Sequence, residues 1–158
     1  MLWVHSGPGD LSFITWSADG DGSDGEGGVR RAYEEIGERL DAANLVILSE
    51  RVFGDVSTAA SVVENRAAAL GENTDNAIIP PTHIEGAPCV GNGVAGIHVI
   101  AARPSTIDSV ETIDWGGAPC GRRIVGDDAS YLALSDLARL LPAEMRTRPS
   151  DETREALL

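Results

Sequence analysis

The sequence predicts an α+β protein in which two helices pack on one face of a mixed β-sheet, and three observations lead there. Residues 29–43 and 57–70 place apolar side chains at helical spacing. Several shorter stretches alternate, or run apolar, with β-branched and aromatic residues between glycine, proline and aspartate. Their order through residue 125 is β-β-α-β-α-β-β-β, so each helix returns the chain to the sheet.

Residues 2–6 and 11–17 read as a hairpin around Pro8-Gly9-Asp10. The acidic run 19–28 reads as a loop. Its Asp19, Asp21 and Ser23 imitate the start of a calcium loop, but the glycine spacing and closing acid do not follow. The first helix carries the stripe Val29, Tyr33, Ile36 and Leu40, and a strand follows at 45–53. The second helix places Ala60, Val63, Ala67 and Leu70 on its apolar face before Gly71 ends it. Residues 71–92 are polar and rich in proline and glycine, and read as a loop. Residues 94–102 (VAGIHVIAA) form a buried strand, and a strand pair at 107–115 and 120–125 brackets Gly116-Gly117-Ala118-Pro119. The segment 130–135 is a further strand or a short helix, and Ser150-Asp151-Glu152 is a helix N-cap. With both helices on one face, the other sheet face is expected to be bare and covered by oligomerisation or a partner domain.

Composition narrows the function. The chain has 158 residues, 42% of them hydrophobic, enough for one core without staples. Its twelve basic residues are all arginine, which excludes a lysine Schiff base and a P-loop lysine. A net charge of −13 without a basic cluster argues against nucleic acid and against an anionic membrane surface. Two cysteines, no basic leader and no long apolar run lead to the expectation of a cytoplasmic protein with reduced thiols.

Residues 32–53 (AYEEIGERLDAANLVILSERVF) and 86–102 (GAPCVGNGVAGIHVIAA) resemble the first helix–strand unit and the closing loop and strand of the YjgF/RidA (Rid) superfamily. The resemblance covers about residues 2–103. It implies a chorismate-mutase-like fold, a homotrimer or pseudo-trimer, and a small carboxylate or carbonyl ligand in a cleft between subunits. It also implies hydrolysis of an enamine, imine or enol-ether bond as the activity to look for. Family labels such as endoribonuclease conflict with the charge. Where the family's deaminases carry a Pro-x-Arg-Thr segment that clamps a substrate carboxylate, this chain reads Pro80-Pro81-Thr82-His83, and no arginine occurs between Arg66 and Arg103. A glutamate of the closing strand is replaced by His98. Residues 1–126 are thus expected to form a Rid-like domain. Residues 127–158 are an extension, or the start of a second Rid-like unit as in tandem relatives and chorismatases.

Within that frame His83, Glu85 and Cys89 are the catalytic candidates. They share a loop the family places at its cleft, and a thiolate with a histidine and a carboxylate can act as nucleophile or acid–base set. The ordinary alternative is a loop with one small buried cysteine. Thr82, His98, Arg122 and Trp16 are the ligand-binding candidates. The residue pattern alone reads His98 first as a structural histidine on a central strand, hydrogen-bonded to a backbone carbonyl. Of Arg122 and Arg123, one should face the sheet and one solvent; either an anion site or salt bridges would follow. Trp16 and Trp115 line a pocket or a subunit interface. Cys89, Cys120, His83 and His98 lack zinc-ligand spacing, so neither a metal nor another cofactor is expected. A binding or scaffold module completed by a partner chain or domain is the competing reading.

Overall fold

The computed structural model describes residues 1–18, 26–72, 74–86 and 93–135. Most of the acidic run, the loop around Cys89 and everything after Ser135, including the Ser150 N-cap, lie outside the described residues.

Strands β1 (Leu2–Ser6) and β2 (Leu11–Ser17) form the expected hairpin. Its turn needs Gly9 at φ 62°, a left-handed conformation that glycine adopts without steric cost. Helix α1 (Glu26–Ala43) starts three residues earlier than its stripe suggests, through two glycines of low helix propensity. The stripe itself is buried: Val29 and Tyr33, Ile36 and Leu40 are at most 5% exposed. A Schellman arrangement closes α1. Asn44 takes φ 51°, its N–H reaches the Asp41 carbonyl, and Leu45 N–H reaches that of Leu40.

Strand β3 (Val46–Gly54) leads through a 3-10 turn at Val56–Thr58 into helix α2 (Ala59–Leu70). The expected stripe of α2 is corrected by one position. Val63 is 51% exposed, whereas Val62 and Arg66 are the buried residues. An alanine-rich helix gives a weak apolar signal, and the position filled by Arg66 reads as polar. The segment 71–92 is likewise not a plain loop. It holds a single helical turn, α3 (Asp75–Ile78), and strand β4 (Thr82–Glu85). Four residues behind two prolines are too few to show a periodicity.

Strand β5 (Val94–Ala102) completes the first sheet, ordered β1-β2-β5-β3-β4. Strand β5 runs antiparallel to both neighbours, while β3 and β4 are parallel, as a helical crossover allows. The second sheet consists of β6 (Val110–Trp115), β7 (Ala118–Val125) and β8 (Ser130–Leu134), all antiparallel. Pro119 is accommodated beside an irregularity in the β6–β7 register.

Helices α1 and α2 cover one face of the first sheet, over Ile14, Val52, Ile97 and Val99. The opposite face is not bare, contrary to expectation. The chain's own second sheet covers one end of it, where Ile124 meets Leu48 and Ala102 and where Leu11, Ile100 and Tyr131 pack around them. A bulge between Ile47 and Ser49 lets both Ile47 and Leu48 be buried, one in each cluster. The rest of that face carries Phe13, Thr15, Arg51, Phe53 and His98, and it remains open.

Candidate functional site

A groove of about 870 Å³ opens where the uncovered face meets β8. Its floor comes from β2, β3 and β5, one wall from Pro80 to His83, and its rim from Leu132 and Leu134. Two buried arginines fix that wall. Arg66 Nε donates to Glu50 Oε2 at 2.8 Å, and its Nη atoms donate to the carbonyls of Asn76, Ala77 and Ile79 at 2.7, 2.8 and 3.0 Å. Arg122 Nη1 donates to the Ile47 carbonyl at 2.8 Å and Nη2 to that of Asp75. Ile47 N–H in turn donates to Asn76 Oδ1 at 2.8 Å. The turn 75–79 is therefore held through its own carbonyls, and Pro80-Pro81-Thr82 leaves it in a set direction.

Glu50 is 2% exposed and its charge is answered on both oxygens, by Arg66 and by the hydroxyl of Tyr33, which donates to Oε1. Burial, and then the Glu50 carboxylate, hold the Tyr33 hydroxyl well above its usual pKa of 10.0, so it stays protonated. This network is structural, because all its donors are spent inside the fold.

Arg51, the next residue, points the other way. It pairs in register with Thr82 on β4 and with His98 on β5, and it lines the groove exposed to solvent. Among the described residues no carboxylate pairs with its guanidinium. His98 is half-buried, and its ring lies parallel to that of Phe13, 6° between planes and 6.2 Å between centroids. Burial, and then the Arg51 charge, lower its pKa below 6.5, which keeps the imidazole neutral at pH 7.

The other candidates are dispersed. Thr82 and His83 line the groove, on opposite faces of β4. His83 Nε2 donates to the Asp55 carbonyl at 3.2 Å, while Asp55 caps the 3-10 turn through Ser57 N–H at 2.8 Å. Hydrogen bonds from Ser57 lower the Asp55 pKa. Glu85 shares the His83 face by strand alternation but is exposed at the end of β4. Cys89 lies outside the described residues. Trp16 is 6% exposed in the core beneath the helices and, with His98, lines a second hollow of about 270 Å³. Arg122 and Arg123 divide as expected between inside and outside. Arg122 is buried on backbone carbonyls, and exposed Arg123 meets Glu111 at 3.5 Å.

Sequence reasoning missed Arg51, Phe13 and the Arg66–Glu50–Tyr33 network. The signal for two of them was present. Adjacent Glu50 and Arg51 in an otherwise apolar strand must send one charge into the core and one onto the opposite face. Taken together, the groove brings Arg51, which no carboxylate pairs among the described residues, together with Ser49, Thr82, His83 and apolar walls, while the neutral His98 imidazole stands next to Arg51 on β5 and lines the second hollow. That set suits a small anion with an apolar body. No known family model matches the chain, and no curated protein matches it significantly in sequence.

Proposed function

We propose that the chain is a divergent Rid-superfamily protein of chorismate-mutase-like fold that binds a small carboxylate or carbonyl metabolite in a cleft completed between subunits. The observation that carries this reading is the placement of Arg51 directly beside Thr82 on the neighbouring strand. Thr82 stands in the window where the family's deaminases have their carboxylate-clamping arginine, so the guanidinium is supplied from β3 instead. A planar guanidinium binds a carboxylate through two parallel hydrogen bonds, which threonine or histidine cannot replace. The strand order β2-β5-β3-β4 with two helices on one face supports the fold assignment. The uncovered part of the first sheet supports a trimer, in which that face is buried.

The reading extends to hydrolysis of an enamine, imine or enol-ether bond. A proton is delivered to the enamine or enol-ether carbon, or to the imine nitrogen, and water adds to the electrophilic carbon so formed. The adduct collapses to a carbonyl as the C–N or C–O bond breaks and the amine or alcohol leaves with a proton. His83, Glu85 or Cys89 moves these protons, His83 and Glu85 from the face of the edge strand β4 opposite Thr82. The test is turnover of an enamine or enol-ether carboxylate by Glu85→Ala and His83→Ala with the native mass checked. Loss of turnover in an intact assembly supports hydrolysis; unchanged turnover in both variants removes it and leaves binding.

A binding module completed by a partner chain or domain is the second reading. Exposed apolar residues on the second sheet favour it: Trp115 at 64%, Leu132 at 65% and Leu134 at 44%. Burial of these three only when a partner protein is added, with a monomer otherwise, would select it.

A further inference from the structure

Among the described residues, β1, β4, β6 and β8 form the outer edges of the two sheets. Strand β4 follows two prolines and ends in the exposed carboxylate of Glu85, and β6 carries Glu111 and Asp114 beside its register break. Such features guard an edge against further pairing. Strand β1 has Val4 and Trp3 exposed on its two faces, so neither layer of the fold reaches a strand added there. Strand β8 differs on both counts. It carries no charge, proline or register break, and Leu132 and Leu134 are exposed along it. Its ladder with β7 is bracketed by Ser135 N–H on the Cys120 carbonyl at 2.7 Å and Gly126 N–H on the Ala129 carbonyl at 2.8 Å. Alternation between them turns the amides of Tyr131 and Ala133 towards β7, and those of Ser130, Leu132 and Leu134 towards the open edge. The same edge borders the groove, so a strand laid along it sets alternate side chains on Leu11, Phe13 and Ile100.

Charge selects the occupant. Asp10 and Asp128 meet just before β8, where Asp128 N–H donates to Asp10 Oδ2 at 3.4 Å, and Asp127 is exposed beside them. Among the described residues no arginine pairs with these three carboxylates. A second copy would bring the same acids and a net charge of −13 against them, whereas basic residues at that end are attracted. We infer that the outer edge of β8 accepts one further antiparallel strand, an extended peptide of another protein with alternating apolar residues and a basic C-terminal end. Antiparallel pairing continues the pattern of this sheet and sets the peptide's C-terminal end beside the carboxylates. Main-chain bonds to Ser130, Leu132 and Leu134 supply the affinity, and the groove sorts the apolar side chains. The inference rests on the second reading of the function, in which a partner completes the fold. It adds to that reading the edge, the strand direction and the partner's charge.

The experiment is a titration of the whole chain, labelled with 15N, with the peptide acetyl-Val-Thr-Val-Thr-Val-Arg-Arg-amide as probe. Saturable amide shifts are expected at Ser130, Leu132 and Leu134, with slower hydrogen exchange of the Leu132 N–H in the complex. Comparators are the same peptide N-methylated at its central residues, and one ending in Glu-Glu instead of Arg-Arg. Each should bind about tenfold more weakly or worse, as the loss of main-chain hydrogen bonds or of the charge attraction implies. Leu132→Pro removes the outward N–H without taking a bond from the β7 ladder and should weaken binding by a similar factor. Leu132→Ala, which keeps that N–H, should retain most of the affinity. An N-methylated or Glu-Glu peptide that binds as tightly as the probe would overturn the inference, as would unchanged exchange at Leu132. The peptide comparisons use the unaltered protein, so they decide even if a variant fails to fold. Probe bound at Trp115, with the β8 amides unmoved, overturns this inference and leaves the second reading standing. No shift at any of these residues overturns the inference, while burial of Trp115 by an added partner protein remains the separate test of that reading.

Discussion

Replacing Arg66 by methionine keeps most of the side-chain volume and removes every polar contact the residue makes. The Glu50 carboxylate, 2% exposed, then loses its partner at 2.8 Å, and the carbonyls of Asn76, Ala77 and Ile79 lose their donors. Breaking a buried ion pair from one side costs about 3–5 kcal/mol, because the remaining charge stays desolvated. Against a total stability of about 5–15 kcal/mol this is a large fraction. With a urea slope of about 1–3 kcal/mol per M, the midpoint in Arg66→Met should fall by more than about 1 M. Far-UV circular dichroism during urea unfolding at pH 7 measures it. Glu50→Gln in the same background should recover part of the loss, because the orphaned charge is gone, giving a coupling of about 0.5–3 kcal/mol. The three carbonyls remain unanswered in the double variant, so recovery is incomplete. A loss below about 1 kcal/mol in Arg66→Met would refute the argument that this residue holds the turn 75–79.

Three further outcomes follow from the same geometry. The raised Tyr33 pKa means the unfolded chain gives up this proton first as pH rises past 10.0, so the stabilisation is full below that pH and is lost above it; Tyr33→Phe should flatten this part of a stability–pH profile. The His98 imidazole should titrate below 6.5 by NMR. Its contribution to stability is present above 6.5 and lost as pH falls through the lowered value, and Arg51→Gln should raise the midpoint without restoring it fully, because burial is the larger cause. A Cβ on Gly54 would lie 2.6 Å from the Gly93 carbonyl oxygen and 2.9 Å from Val94 Cα, both backbone. Gly54→Ala should therefore destabilise by about 1–3 kcal/mol in urea unfolding, where an alanine in open strand would not.

Periodicity located the elements whose pattern was long and pure. The hairpin, the stripe of α1 and strand β5 depend on alternation or helical spacing over many residues, and all three stand where their residues indicate. The failures share a cause. The α2 face was misplaced by one position because Arg66 is buried as an ion rather than as an apolar side chain, and hydrophobic spacing cannot register that. The four-residue β4 is defined by its parallel pairing to β3, a long-range contact with little local signature. The second sheet's role as cover for the first depends on docking Ile124 against Leu48 and Ala102, which no single segment reveals. The site was legible only in part for a related reason. His83, Glu85 and Thr82 attract attention as a local cluster. Arg51 becomes a candidate only once β4 is known to lie beside β3.

The native mass in solution, by light scattering at low and high salt, tests the central claim most directly. A mass of three chains at both salt concentrations is predicted, because a trimer that buries the open sheet face is held by apolar contact and is insensitive to screening. A monomer at both salt concentrations would contradict the account, since the cleft between subunits that completes the Arg51 groove would then not exist.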